Sequence, residues 1–349
     1  MAAGLTIALD AMGGDNSPQM VIQGANVALK RLPHVDFILI GDEAQLTPLL
    51  RRKSKLAGHC RIEHTNQVVT NDMKPSAALR SARRSSMRLA IDAVDEGRAA
   101  GAVSAGNTGA LMALAKFVLR TLPGIDRPAI ASFFPTLRGE SVMLDLGANV
   151  DCDANNLVQF AVMGDVFART VLGLQEPTIG LLNVGSEDMK GHEELRAAAA
   201  LLRASNIPLR FHGFVEGDDI TGGTVDVVVT DGFTGNVALK TAEGTAKLYS
   251  EFLRGAFQAS WLARIGYLLA RGALAKVRSR TDPRRYNGAM FVGLNGIVVK
   301  SHGGTDAIGF ANAIHVAADM AQNRFNDKIR DELARLSAAA PSPSQVAAG

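Results

Sequence analysis

Six segments of this chain end an apolar run in a turn made of glycine, amides, hydroxyls and carboxylates. They are Asp10-Ala-Met-Gly-Gly-Asp15, Ser104-Ala-Gly-Asn-Thr-Gly109, Asp145-Leu-Gly-Ala-Asn149, Asn183-Val-Gly-Ser-Glu-Asp-Met-Lys-Gly191, Thr230-Asp-Gly-Phe-Thr-Gly-Asn236 and Ser301-His-Gly-Gly-Thr305. Adjacent glycines let backbone N–H groups approach a ligand closely. Open α/β sheets bind ligands outside the carboxyl ends of their strands. Taken together, such turns describe a cleft lined with amides, hydroxyls and N–H donors, suited to phosphate or to a developing oxyanion. In the first, Ser17 is expected to cap a helix that has Pro18 at its first position, and a helix start favours an anion.

Other chemistries lack their marks. No Gly-x-x-x-x-Gly-Lys-Ser/Thr, no strand-borne Gly-x-Gly-x-x-Gly with a following acidic residue and no Gly-x-Ser-x-Gly elbow occurs. No His, Cys and Asp cluster has metal-ligand spacing, so neither metal nor redox cofactor is expected. Cys60 and Cys152 fit no metal or redox spacing and agree with a reducing compartment.

To hold six turns in one place the chain needs a scaffold, and its patterning supplies one. Strands are expected at Leu5–Leu9, Asp36–Ile40, Ala102–Ser104, Ala129–Phe133, Val142–Leu146, Ile179–Val184, Leu209–Phe214, Val225–Val229 and Gly296–Lys300. Helices are expected at 18–31, 85–97, 107–121, 154–173, 189–204, 234–256 and 304–325. This alternation predicts a three-layer α/β/α fold with a largely parallel sheet. The 349 residues, 47% hydrophobic, are enough for one large core or two interleaved lobes. The expected organisation is a single α/β catalytic domain over 1–335 and a flexible, Ala/Pro/Ser-rich tail over 336–349. The first residues carry no basic region of a secretory signal, and no run of 18 apolar residues predicts a membrane span.

The motifs Asp10–Asp15, Ser104–Gly109, Asp145–Asn149, Gly185–Gly191, Thr230–Asn236 and Lys300-Ser-His-Gly303, in this order and covering about residues 5–325, closely resemble the phosphate acyltransferases of bacterial phospholipid synthesis, the PlsX family. The resemblance implies transfer of a fatty acyl group from acyl-[acyl-carrier protein] to inorganic phosphate. The acyl phosphate formed would feed a membrane glycerol-3-phosphate acyltransferase. It also implies a homodimer and a fold related to phosphotransacetylases and to the isocitrate and isopropylmalate dehydrogenases.

Against that reaction the residues take expected roles. Phosphate must be aimed at a thioester carbonyl, and a thiolate leaves without strong acid catalysis, so positioning and oxyanion stabilisation carry most of the work. Lys190 would bind phosphate or neutralise the oxyanion; otherwise it is a solvated lysine at a helix start, where the dipole disfavours it. Asn236 is a donor to phosphate or carbonyl, or a helix N-cap. Asp231 accepts a proton from monohydrogen phosphate or orients Lys190. His302 is a proton-transfer partner or a turn residue. Phosphate anchoring is expected from Gly13, Gly14, Asn107, Thr108 and Ser186, with Asn149 and Thr234 in the same cleft. Asp10 and Asp15 would order the Gly-Gly loop, since two bare carboxylates repel phosphate.

One stretch stands apart. Residues 250–285 hold eight Arg and Lys against two acidic residues, a local charge of +6 in a chain of net +3. Trp261, Ile265, Leu268 and Leu269 share one helical face, while Arg264, Arg271 and Arg278 recur on another. A helical protrusion over about 245–285 would then touch a membrane surface, dock the acidic carrier protein or pack in a dimer. The protein would be cytoplasmic and peripherally membrane-associated. Nucleic acid is not an expected partner, because aromatic platforms and a broad basic surface are lacking. The rival readings are an NAD(P)-dependent decarboxylating dehydrogenase of the same fold and a non-catalytic membrane scaffold.

Overall fold

A computed structural model describes residues 4–205, 208–280, 282 and 284–339, with the side chains of 278–280 and 335–339 left aside. The strands are β1 (Leu5–Asp10), β2 (Val35–Gly41), β3 (Cys60–His64), β4 (Gly101–Ser104), β5 (Ala129–Thr136), β6 (Gly139–Leu144), β7 (Thr178–Leu182), β8 (Arg210–Val215), β9 (Val227–Val229), β10 (Ala289–Val292) and β11 (Ile297–Lys300). The helices are α1 (Gln19–Arg31), α2 (Glu43–Arg51), α3 (Ser54–Ala57), α4 (Pro75–Ser81), α5 (Ser86–Asp95), α6 (Thr108–Leu119), α7 (Ala154–Val171), α8 (Glu193–Ala204), α9 (Gly217–Gly222), α10 (Gly232–Gln258), α11 (Trp261–Arg280), α12 (Ala307–Gln322) and α13 (Phe325–Ala339).

All eleven strands form one sheet in the order β3-β2-β1-β4-β11-β10-β5-β6-β9-β7-β8. Strands β3, β2, β1, β4 and β11 are parallel, and so are β6, β9, β7 and β8. Three antiparallel pairings, β11–β10, β10–β5 and β5–β6, join these blocks and reverse their sense. Each pairing also twists the sheet by about 20–25°. Helix α10, which starts at the carboxyl edge of the second block, brings Lys240 within electrostatic reach of Lys300 at the carboxyl edge of the first.

The strand runs are apolar on both faces because helices cover both. Ile7 and Leu9 pack with α1, α7, α12 and α13, while Ala8 packs on the other face with α4, α5 and α6. The three-layer, largely parallel architecture expected from the alternation is therefore present. Among the described residues no helix is long and apolar enough to cross a membrane.

Several boundaries differ from expectation. β3 reads Cys-Arg-Ile-Glu-His and lies at the sheet edge, half exposed, so it carries no apolar run to betray it. β10 has only four residues and follows the basic segment. Helix α8 begins at Glu193 rather than 189, because Gly191 takes a left-handed φ of +82° and ends the preceding turn. The expected helix over 304–325 is α12, capped by Asp306, with α13 following it. Part of the expected tail, up to Ala339, is helix, whereas 340–349 lie outside the described residues. Ser17 does not cap α1; its hydroxyl donates to the Gly13 carbonyl, and Pro18 occupies the N-cap position without a side-chain bond.

Candidate active site

The carboxyl edge of the first block gathers three of the six turns. β1 ends at Asp10, which is fully buried and accepts from the Ser104 hydroxyl at 2.6 Å. Burial pushes the Asp10 carboxyl above its ordinary value, and the Ser104 bond partly offsets this. A Cβ on Gly13 would strike the Asp10 carboxylate and lie 2.9 Å from the Gly106 nitrogen. Gly14 has φ of +101° and lies against Ala105 and the Gly303 carbonyl. The Asp15 N–H donates to the Gly303 carbonyl at 3.0 Å, and the Ser301 N–H to the Ser104 carbonyl at 2.8 Å. Thus 10–15, 104–106 and 301–304 form one interlocked cradle. Asn71 adds a bond of 3.2 Å to the Asp15 carboxylate.

The second block gathers the other three. Asp145 is buried and accepts five bonds that build its turn, from the backbone of Ile130, Gly147, Ala148 and Asn149 and from the Asn149 side chain. α10 starts against this turn. A Cβ on Gly232 would lie 2.6 Å from the Asn149 carbonyl, and one on Gly235 would run into the Asp145 carbonyl. Only glycine lets the helix start this close. Gly147, at φ +127°, faces the Asn236 side chain.

Lys190 belongs to the 183–191 loop. That loop is pinned by Asn183 Nδ2 to the Lys190 carbonyl at 3.1 Å, by Arg196 to the Gly191 carbonyl at 2.9 Å and by Arg203 to Asp188 at 2.6 Å. The Lys190 backbone is fixed, while its exposed ammonium makes no ion pair among the described residues. Helix α10 connects the blocks. Asn236 and Lys240 lie four residues apart on one helical face. Asn236 abuts Gly147 of the second block, and the Lys240 charge acts on Lys300 of the first.

This geometry sorts the sequence candidates. Asn236 is not the helix N-cap; Asp231 is, accepting from the Thr234 N–H at 2.8 Å and from its hydroxyl at 2.7 Å. Asp231 and Thr234 therefore serve the helix start, and the exposed Asn236 amide makes no hydrogen bond among the described residues. Asn149 is withdrawn from any ligand, because its Nδ2 serves the Pro128 carbonyl at 2.8 Å and Asp145 at 2.9 Å. Asn107 caps α6 and donates to the Asn71 and Met73 carbonyls at 2.9 and 3.0 Å, so its side chain too is spent on structure. Thr108 and Ser186 are exposed at the cleft turns. His302 is exposed; its Nδ1 accepts from the Gly304 N–H at 3.2 Å, which leaves Nε2 outward.

Two groups matter that the residue-type reading passed over. Lys300 ends β11 almost wholly buried, and its place in the Lys300–Gly303 motif was its only sequence signal. Asn287 is buried, accepts from the His302 N–H at 2.8 Å and donates to the Ser301 hydroxyl at 2.8 Å. Nothing in its local sequence marks it. Cys152 lies near Asp145 and Asp231; burial, then those carboxylates, push its thiol up to about 12. It stays protonated at neutral pH and is a weak nucleophile.

The basic stretch forms α11, which packs with α10 through Phe257 and Tyr267, ring centroids 5.4 Å apart. Trp261, Ile265, Leu268, Arg264 and Arg271 are exposed. The Arg278 side chain lies outside the described residues.

Residues 5–328 match the family model described as "Fatty acid synthesis protein". A phosphate acyltransferase of Paramagnetospirillum magneticum is 65% identical over 349 residues, covering 100% of this chain and 99% of its own. One from Rhodospirillum centenum is 68% identical over 339 residues, covering 97% and 96%. Among solved structures, a phosphotransacetylase from Streptococcus pyogenes superposes with a TM-score of 0.61 at 17% identity, over 92% of this chain and 95% of that one. The EutD phosphotransacetylase from Staphylococcus aureus gives 0.59 at 16%, over 91% and 94%. At that identity these two establish the fold alone. The dehydrogenase reading finds no support among these relatives. With sequence identity this high along its whole length and the six turns gathered on one sheet, the chain belongs to the phosphate acyltransferase family and is an acyltransferase.

Proposed function

We propose that the enzyme takes a fatty acyl group from acyl-[acyl-carrier protein] and transfers it to inorganic phosphate, with a division of labour between the two blocks. An oxygen of monohydrogen phosphate attacks the thioester carbonyl, the C–S bond breaks, and the phosphate's proton ends on the departing thiol. The products are an acyl phosphate and the carrier thiol, and the step is reversible. Phosphate sits in the first-block cradle, with Gly13, Gly14, Thr108 and His302 at its rim. Asp10 orders that cradle from beneath and Asp15 closes it. Lys190 and Asn236 face the acyl carbonyl and stabilise its oxyanion, helped by Ser186. A preorganised donor of this kind contributes roughly 3–4 kcal/mol in acyl transfer.

The observation that carries this assignment is the pairing of a fixed backbone with an uncommitted polar head at both Lys190 and Asn236. A covalent acyl-enzyme is not required, because the nearby thiol is held protonated. The proposed substrates need no cofactor.

We further infer that the α10–α11 hairpin serves the protein's surroundings. Exposed Trp261, Ile265 and Leu268 beside Arg264 and Arg271 suit an anionic, partly apolar surface. That chemistry fits reversible membrane contact near a glycerol-3-phosphate acyltransferase, as well as docking of an acidic carrier protein. The enzyme would then work as a cytoplasmic, peripherally membrane-associated homodimer, with a single catalytic domain over 1–335. The direct test is to incubate palmitoyl-[acyl-carrier protein] with inorganic phosphate, without metal or nucleotide, and trap acyl phosphate as hydroxamate. Strictly phosphate-dependent product is expected; no product from folded protein would overturn the proposal.

A further inference from the structure

We propose that Lys300 is the buried counter-charge of the phosphate cradle and positions the anion by clamping two of its turns. This deepens the phosphate-site reading above and rests on it. Lysine side chains are almost never fully buried without a specific partner. Here the stem crosses under the cradle and the ammonium donates to two backbone carbonyls, Ala105 at 3.4 Å and Ser301. Those carbonyls belong to the 104–106 and 301–304 turns, which the Ser301 N–H already joins through the Ser104 carbonyl. The third turn hangs on the same point, since Ser104 holds Asp10 and Gly303 holds Asp15.

Charge bookkeeping gives the reason for a cation here. Asp10 and Asp15 face Lys300 from β1 and its turn, Lys240 acts on it from α10, and His302 lies two residues on. Without Lys300, a phosphate dianion would enter a cradle floored by two carboxylates, a like-charge arrangement that excludes it. With Lys300 charged, the cradle approaches neutrality before phosphate arrives. The anion is then drawn in by backbone and side-chain donors, while the Lys240 ammonium on α10 is itself paired with Glu243 at 2.6 Å.

Burial, the largest influence, lowers Lys300 to about 8, with the two aspartates opposing and Lys240 assisting. Function and stability should then respond to pH in opposite directions. Above pH 8 the charge is lost and phosphate binding weakens. The unfolded lysine keeps its proton up to about 10.5. Over that window the unfolded state binds more protons, so this group adds stability as pH rises. A purely structural clamp would couple the two losses instead of separating them.

The experiment measures KM for inorganic phosphate, kcat and melting temperature from pH 7 to 9.5, for wild type and Lys300→Met. Methionine keeps much of the volume and cannot carry charge. For wild type, KM for phosphate is expected to rise about tenfold per pH unit above 8, with kcat nearly flat and no matching fall in melting temperature. Lys300→Met is expected to melt no lower than wild type, with KM for phosphate raised at least tenfold at pH 7 and flat with pH. Calorimetric titration of inorganic phosphate into both proteins reads binding without any acyl donor. It therefore separates failure of the cradle from failure of the acyl-transfer reading. Should Lys300→Met fail to fold, the wild-type pH series and calorimetry still decide. A wild-type phosphate affinity independent of pH between 7 and 9.5, or a folded Lys300→Met with unchanged affinity, overturns the proposal.

Discussion

The two carboxyl edges that make the cleft are built in opposite ways. On the first block nearly every polar side chain is committed: Asp10 to Ser104, Asn107 to the 71–73 backbone, Asn287 to Ser301 and His302, and Lys300 to two carbonyls. On the second block the commitments stop short of two side-chain heads. Asp145 and Asn149 build a turn, Asp231 caps a helix, and Lys190 and Asn236 are then presented with their heads uncommitted. The difference separates two tasks. A cradle for a small symmetrical anion profits from rigid preorganisation, whereas groups that follow a carbonyl into a tetrahedral state must have donors to spare.

The largest effect should follow from removing the charge on the second block. Lys190→Ala is expected to lower kcat by roughly 10²–10³, the cost typical of losing one oxyanion donor. Its melting temperature should be unchanged, because the ammonium is exposed and makes no ion pair among the described residues. Steady-state hydroxamate assays and a thermal melt check both parts. Equal losses of kcat and melting temperature would mean that the lysine holds the loop.

A packing test on the same block comes next. Gly235→Ala drives a methyl group into the Asp145 carbonyl, and overpacking of this kind costs about 1–3 kcal/mol or more. A clear drop in the chemical-denaturation midpoint is expected, with activity falling alongside. By contrast, Gly244→Ala meets nothing within 4 Å further along the same helix and should be stabilising by roughly 0.5–1 kcal/mol. If both substitutions behaved alike, close approach at the helix start would not be what requires the glycine.

Smaller effects probe the surroundings. Replacing Trp261 and Leu268 by glutamate should abolish co-sedimentation with anionic vesicles while the melting temperature holds, since both side chains are exposed. Retained sedimentation would move membrane contact elsewhere. The smallest effect is expected at Cys152. With its thiol pushed up to about 12, Cys152→Ser should keep activity within about threefold, and iodoacetamide at pH 7.5 should leave the enzyme active. Rapid inactivation would bring a covalent intermediate back into view.

Much of this architecture is legible in the sequence because its signals are local. Apolar runs such as Val35–Gly41 and helices with a clear buried stripe announce themselves, and the Gly-rich turns mark where strands end. β3 and β10 are not legible in that way: one is a half-exposed edge strand and the other a four-residue piece held by its antiparallel neighbours. For the site, motif position identified the turns but not the task of each residue within them. Asn107, Asn149 and Asn236 look alike as residue types. Only the fold reveals that the first two spend their amides on backbone carbonyls and that the third does not. Lys300 was hidden for a related reason. Burial is a tertiary property, and a lysine closing a strand reads on its own as a solvated end.

The most direct test of the two-block account is a kinetic split in one assay. KM for phosphate and kcat would be measured at pH 7 for wild type, Lys190→Ala and Asn236→Ala, with acyl phosphate trapped as hydroxamate. The account predicts that both second-block variants lose kcat, Lys190→Ala the more severely, while KM for phosphate stays within about threefold of wild type. A rise in KM for phosphate with kcat intact in either variant would place phosphate on the second block and contradict the account.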